Sequence, residues 1–280
     1  MSLSSTSSTI KANQILHAKI ATHYESDEPH FRRENKEKVR RRLSQIVARL
    51  RNCVTMVDLG CGTGFLEELA PESISRIIGV DTTPEMLKLL KDKNLARVET
   101  LLASAENTCL PDSFSDLITG YTVLDHFEDP LAVFKEASRV LRSGGILYFD
   151  LIPNASFWNA LRSLSVERLQ ADEIVLREVR EVNSHSEKMQ SQYGIPAEVL
   201  AAAEPHKEIA EGFEIARLTD NLAQAGFSQI EIHREWFLGE ARVFHSFGTE
   251  YTDVVAQHLS RLSPLTDHLF KYLWLTAVKT

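Results

Sequence analysis

Three groups of residues in this chain have types and spacings that could do chemistry. The first is Asp58-Leu59-Gly60-Cys61-Gly62-Thr63-Gly64. Glycines at alternate positions permit positive φ and a close backbone approach, so that amide N–H groups and a helix start can face a polar ligand. A dinucleotide loop spaces its glycines GxGxxG, whereas here they fall GxGxG and position 65 is Phe. Asp58 stands two residues ahead of the first glycine. A carboxylate there gains nothing from a pyrophosphate but attracts a ligand bearing an ammonium or sulfonium centre. The second group is Asp81, 17 residues beyond Gly64, where an acid can accept hydrogen bonds from the vicinal hydroxyls of a ribose. The third is Asp125-His126, a candidate for acid–base work near neutral pH beside any His or Tyr of the later insertion; a structural histidine packing its loop explains His126 equally well.

These residues need a scaffold. The apolar run 54–59 reads as a buried strand entering the glycine turn, and 76–81 reads as a second strand that ends on Asp81. Thr83 and Pro84 supply a cap and first helical position, and that helix stops at Asn94. Strands follow over 98–103 and 117–121, then a helix over 131–141, with Gly144-Gly145 as its C-terminal turn into a strand at 146–149. Further strands are expected at 227–233 and 272–278. Ligands in open α/β sheets sit beyond the carboxyl ends of strands, which places the glycine turn, Asp81 and the 122–130 loop around one site.

At this point the residues resemble a known family. An acidic residue followed by GxGxG after a strand is similar to motif I of the class I S-adenosylmethionine (SAM) dependent methyltransferases. Ser104-Ala105-Glu106, Leu110-Pro111, Phe114-Ser115-Asp116 and Arg139-Val140-Leu141 with Gly144-Gly145 resemble the later motifs of the small-molecule, quinone-biosynthesis-like branch. The resemblance implies a Rossmann-like seven-stranded α/β sheet in the order 3-2-1-4-5-7-6, its last strand antiparallel, with helices on both faces and a helical cap. It implies SAM as cofactor, S-adenosyl-L-homocysteine as its product, and a small organic acceptor. Cofactor contacts would come from Tyr24, Asp58, Gly60, Cys61, Gly62, Gly64, Asp81, Thr82, Met86, Ser104, Ala105, Glu106 and Tyr121, and His126 or Asp125 would look toward the methyl group. The family's usual residue at 104 is Asp, and Glu25 stands where Asp usually follows the tyrosine. A SAM-binding protein without turnover on the same fold is the alternative.

The remaining chain divides into an expected tail at 1–9, an N-terminal helical segment at 10–52, a core at 53–152, a helical cap at 153–212 and a C-terminal part of the core at 213–280. Ile15, Leu16 and Ile20 mark one helix, ended by a polar break at 25–29. The next helix carries Val39, Leu43 and Ile46 on one side and a basic stripe, including Lys36, Lys38 and Arg42, read as a solvated face. In the cap, 157–164 and 173–182 suggest helices, and a polar connection through Met189 and Tyr193 leads to Pro196. About sixty residues are too many for a loop and should cover a substrate. A second insertion, 239–268, holds an amphipathic helix, with Phe244, His245 and Phe247 as further candidates to wall the pocket.

At 280 residues, 43% hydrophobic, the chain can bury one large core. A net charge of −8 argues against a nucleic-acid surface, and no apolar run approaches the roughly 20 residues of a bilayer span. Cys53, Cys61 and Cys109 lack zinc spacing and suit a reducing, cytoplasmic setting; Cys61 reads as a small residue in a tight turn. Ten scattered histidines make no metal signature.

Overall fold

The computed structural model describes residues 8–50, 54–164, 173–206 and 212–280. Seven strands, β1 (Val54–Leu59), β2 (Ile74–Asp81), β3 (Val98–Leu102), β4 (Ser115–Tyr121), β5 (Leu141–Pro153), β6 (Phe227–Phe237) and β7 (Phe270–Lys279), form one sheet. Its order is β3-β2-β1-β4-β5-β7-β6, and β7 runs antiparallel to both its neighbours, as the resemblance implies. The register sets Asp58 beside Gly79 on one side and Thr119 on the other, in the centre of the parallel part.

Helices cover both faces because successive strand residues point to opposite sides. On one face α3 (Arg33–Val47) and α4 (Phe65–Leu69) bury Leu43, Ile46 and Leu66 against Met56, Ile77 and Tyr148. On the other, α6 (Pro130–Val140) and α10 (Ile215–Gln224) bury Phe134, Ala137 and Leu222 against Ile118, Phe149 and Leu275. A third cluster lies at the carboxyl ends of the strands. There α1 (Ser8–Ile20) packs Ala12, Leu16 and Ile20 against Met86 of α5 (Pro84–Asp92), Met189 at the end of α8 (Glu173–Tyr193) and Leu200 and Ala203 of α9 (Ala197–Ala203). The N-terminal segment and part of 153–212 thus meet as a roof over the sheet. The remaining helices are α2 (Tyr24–Asp27), α7 (Ala155–Ser163) and α11 (Glu240–Arg261). No helix among the described residues is long and apolar enough to cross a membrane.

Several local expectations are corrected. Helix α1 begins at Ser8, inside the stretch read as tail, and residues 1–7 lie outside the described residues, as do Arg51 and Cys53. Ile15 is exposed while Leu16 and Ile20 are buried. The polar break at 25–29 contains the short helix α2. Thr83 makes no side-chain cap; its N–H instead donates to the Asp81 carboxylate at 2.8 Å. Helix α6 ends at Val140 with Leu141 already extended, so Gly144 (φ +77) turns the chain inside the start of β5 and is not the helix terminator. Asn94 (φ +49) does follow α5 as expected. The polar connection after 182 is helical as far as Tyr193, where Gly194 (φ +62) breaks it.

Arg32, Arg33, Arg40, Arg41 and Arg49 of the basic stripe are exposed, as a solvated face requires, but Lys36, Lys38 and Arg42 depart from it. Arg42 donates to Asp150 at 2.5 Å and to Glu235 at 2.7 Å, Lys38 pairs with Glu235 at 3.0 Å, and Lys36 pairs with Glu68 at 3.0 Å. Burial works against the Glu235 carboxylate, yet the charges of Arg42 and Lys38 hold it below the usual range. The buried Tyr148 hydroxyl also donates to Asp150. Helix α3 is thereby locked to the ends of β5 and β6.

Candidate functional site

The glycine turn leaves β1 and folds back on β2, with the N–H groups of Gly60 and Cys61 both donating to the Val80 carbonyl (2.8 and 3.0 Å). Gly60, Gly62 and Gly64 all have positive φ (+71, +53 and +96), a conformation in which a Cβ costs about 1–2 kcal/mol. Their surroundings differ. A Cβ on Gly60 would stand 2.2 Å from Val123 Cγ2, and one on Gly64 would stand 2.4 Å from Leu90 Cδ1. At Gly62 no atom of the described residues lies within 4 Å of that position. Gly60 and Gly64 are therefore packing requirements, while Gly62 opens toward space.

That space is a cavity of about 80 Å³ at the carboxyl ends of β1, β2 and β4. Of the residues singled out from sequence, Tyr24, Gly60, Gly62, Asp81, Thr82, Met86, Ser104, Ala105, Tyr121 and His126 line it. Asp58, Cys61, Gly64, Glu106 and Asp125 do not. Asp58 lies beneath the turn, accepts the Thr119 hydroxyl at 2.5 Å, and is pushed up to about 7 by burial, the nearby Asp81 charge adding to the effect. Cys61 is buried, and burial pushes its thiol well up, which fits a packing role. Glu106 closes a small turn with Ser104, whose Oγ accepts the Glu106 N–H at 3.2 Å. Asp125 is buried with Oδ1 unpartnered. Phe244, His245 and Phe247 of α11 are not among the lining residues, and Phe247 is exposed.

Asp81 is the most constrained polar group of the cavity wall. One carboxylate oxygen accepts the Gly62 N–H at 3.0 Å and the other accepts the Thr83 N–H at 2.8 Å. Burial raises its pKa and these N–H groups oppose the rise. The Thr83 hydroxyl also donates to this carboxylate, and of its roughly four lone-pair sites acceptor capacity remains for a ligand. Among the described residues no lysine or arginine lines the cavity. Thr122, a β-branched residue at φ +47, sits on its rim with its N–H donating to the Asp150 carbonyl at 3.1 Å; such strain persists only where the surroundings enforce it.

The roof contributes residues that sequence reasoning missed. Ile10, Asn13 and His17 of α1 line the cavity. Asn13 is hydrogen-bonded to the 122–130 loop, and the neighbouring Gln14 donates to the Thr82 carbonyl at 2.9 Å, so two consecutive side chains tie α1 to two strand-end loops. Their signal was the i, i+3, i+7 spacing of 10, 13 and 17, one face of a helix carrying an amide and an imidazole. Among the described residues no group of three or more His, Cys, Asp or Glu is placed to hold a metal.

Comparison with known proteins adds to this geometry. A family model described as a methyltransferase domain matches residues 57–149. Over 101 residues the chain is 33% identical to malonyl-[acyl-carrier protein] O-methyltransferase of Hamiltonella defensa, covering 36% of this chain and 39% of that protein. Over 102 residues it is 29% identical to a ubiquinone biosynthesis O-methyltransferase of Xanthomonas campestris, covering 35% and 42%. The chain thus spans about two fifths of the length of these curated relatives. Among solved structures, a SAM-dependent methyltransferase of Thermotoga maritima, described as a possible histamine N-methyltransferase, superposes with a TM-score of 0.50 at 17% identity, covering 95% of this chain and 100% of that one. At that identity what is shared is the fold.

Proposed function

We propose that this chain, whose residues 57–149 match the methyltransferase-domain model, moves a methyl group from SAM to a small organic acceptor and releases S-adenosyl-L-homocysteine. One observation carries the reading: Gly62, open where a side chain would stand, donates its N–H to Asp81, whose carboxylate keeps acceptor capacity on the cavity wall. A backbone cradle with such an acid at its edge suits a nucleoside whose ribose donates two hydroxyls. Asp81 in the wall and Asp58 beneath it suit a ligand bearing positive charge.

In this reading Asp81 holds the ribose, Gly60 and Gly62 cradle the amino-acid end, Thr82 and Met86 flank the nucleoside, and Ser104 with Ala105 meets the adenine edge. Tyr24 and Tyr121 close the remaining sides. Asp58, Cys61, Gly64 and Glu106 act through the shape of the turns they support. Once bound, SAM supplies an electrophilic methyl carbon on a sulfonium. The chain's own work is to exclude water and to align an acceptor, an effect worth on the order of 7–11 kcal/mol in well-oriented systems.

Ile10, Asn13 and His17 put α1 on the wall of the cavity, so in this reading α1 borders the path by which cofactor and acceptor enter. In this reading residues 153–212 serve as the cap over the acceptor, supported by the packing of α9 and the end of α8 on α1. A reducing, cytoplasmic setting belongs to the same reading, supported by the free thiols of Cys61 and Cys109. Both curated relatives described above are named O-methyltransferases, which supports oxygen as the methylated atom.

The test is incubation of the purified chain with methyl-labelled SAM and a metabolite extract. Label should appear in a small-molecule product. Binding of S-adenosyl-L-homocysteine with no label in any acceptor would overturn the catalytic reading in favour of a cofactor-binding protein.

A further inference from the structure

Asn13 of α1 holds residue 126 at two points. Its Nδ2 donates to the Thr9 carbonyl at 3.1 Å and to the His126 backbone carbonyl at 3.2 Å. With both amide hydrogens committed to carbonyls, Oδ1 is fixed as the acceptor, and it lies 2.8 Å from His126 Nδ1. The Ala203 carbonyl, at the end of α9, is 3.2 Å from the same nitrogen. Two acceptors facing Nδ1 require that it carry the hydrogen. In the neutral ring Nε2 then holds the lone pair, on a side chain that lines the cavity. Among the described residues no protein group is hydrogen-bonded to Nε2. Beside it, the His17 ring is 5.1 Å away and has its own Nδ1 3.1 Å from the Asn13 carbonyl.

We propose that Asn13 is a positioning residue which fixes His126 in the Nδ1–H tautomer, so that Nε2 serves as general base toward an acceptor carrying an ionisable hydroxyl. The inference rests on the methyl-transfer reading above. The acceptor O–H bond breaks and its proton passes to Nε2; the pair left on oxygen forms the new C–O bond, and the pair of the broken S–CH3 bond returns to sulfur. The imidazolium then loses its proton to water. Proton removal by a positioned base contributes typically ~10²–10⁴-fold. An amine acceptor, which sheds its proton after transfer, would not need this arrangement.

The titratable groups around the ring are His17 and Tyr24 from the N-terminal segment and Asp81 from the tip of β2. Asp125 and Glu128 belong to its own loop, and Glu204 and His206 follow α9. Asn13→Asp adds a carboxylate in direct contact with Nδ1–H and leaves those groups in place. A neighbouring carboxylate favours imidazolium, so the acidic limb of kcat/KM should move up by about 1–2 pH units. Asn13→Ala should lower kcat by about 10–100-fold.

The first measurement needs no turnover: long-range ¹H–¹⁵N correlation on ¹⁵N-histidine-labelled protein, with His126→Gln to assign the ring. The expected spectrum at pH 8 shows His126 protonated at Nδ1, with the preference weakened in Asn13→Ala. An Nε2–H tautomer in an active enzyme, or an acidic limb unmoved in Asn13→Asp, would overturn this inference and leave the methyl-transfer reading standing. The Nδ1–H tautomer in a protein that methylates nothing would overturn that reading, and the base role with it.

Discussion

Gly60 and Gly62 differ by two positions and share a left-handed backbone, yet replacing each with alanine should have different consequences. At Gly62 the cost to folding is the αL penalty of about 1–2 kcal/mol, offset by about 0.4–1 kcal/mol from the reduced freedom of the unfolded chain. Among the described residues nothing stands within 4 Å to add a clash, so Tm should fall by no more than about 3–6 °C. The added methyl would occupy the opening beside the Gly62–Asp81 hydrogen bond. A nucleoside displaced by it loses hydrogen bonds to Asp81, each worth about 1.5–3 kcal/mol when one partner is charged. Losing two weakens binding by at least about 100-fold. At Gly60 the same methyl would stand 2.2 Å from Val123 Cγ2, adding overpacking of about 1–3 kcal/mol to the backbone strain and lowering Tm several degrees further. The assay is paired thermal denaturation and isothermal titration with S-adenosyl-L-homocysteine. A folded Gly62→Ala that binds as the parent does would refute the assignment of the open face of residue 62 to the cofactor.

Other perturbations follow from the same geometry. Asp58 is pushed up to about 7 in the fold against about 3.9 in an unfolded chain, so between roughly pH 4 and 7 the folded state holds a proton the unfolded state has lost. Its contribution to stability is therefore present below pH 4 and is lost as pH rises to 7, with a slope of at most about 1.4 kcal/mol per pH unit, and Asp58→Asn should flatten that part of the curve measured by urea denaturation. Cofactor affinity runs the other way, rising from pH 5 to 7 as Asp58 ionises, because a cationic ligand favours the carboxylate; titration across that range reads it. Arg42→Ala leaves Asp150 and Glu235 buried without their shared guanidinium and should cost about 3–5 kcal/mol by denaturant unfolding. Amide exchange in α1 should slow when S-adenosyl-L-homocysteine binds, as the helix settles over a filled site; unchanged exchange at 12–20 would contradict its role as roof.

What the sequence made legible was local. A strand running into GxGxG and a second strand ending on Asp81 are short-range patterns, each set by apolar runs and by glycines that only a turn explains, and the structure brings Gly60, Gly62 and Asp81 together. The sheet order came from resemblance, since periodicity supplies strands but no neighbours. What stayed hidden depends on distance along the chain. Asn13 meets His126 across 113 positions, and Arg42 meets Asp150 across 108 and Glu235 across 193, so neither partner shows in the helix that carries the residue. Arg42 looks like one of many surface cations until the end of β5 is placed beneath it. The reach of α8 to Tyr193 was masked by polar composition, and only Gly194 marks its end.

The central claim is that Gly62 and Asp81 together form the seat of SAM. Calorimetric titration of the purified chain with S-adenosyl-L-homocysteine, repeated on Asp81→Ala after circular dichroism has shown that variant to be folded, tests it most directly. Saturable one-to-one binding in the parent and none in the variant is the predicted result. No binding in the parent, or equal binding in both, would contradict it.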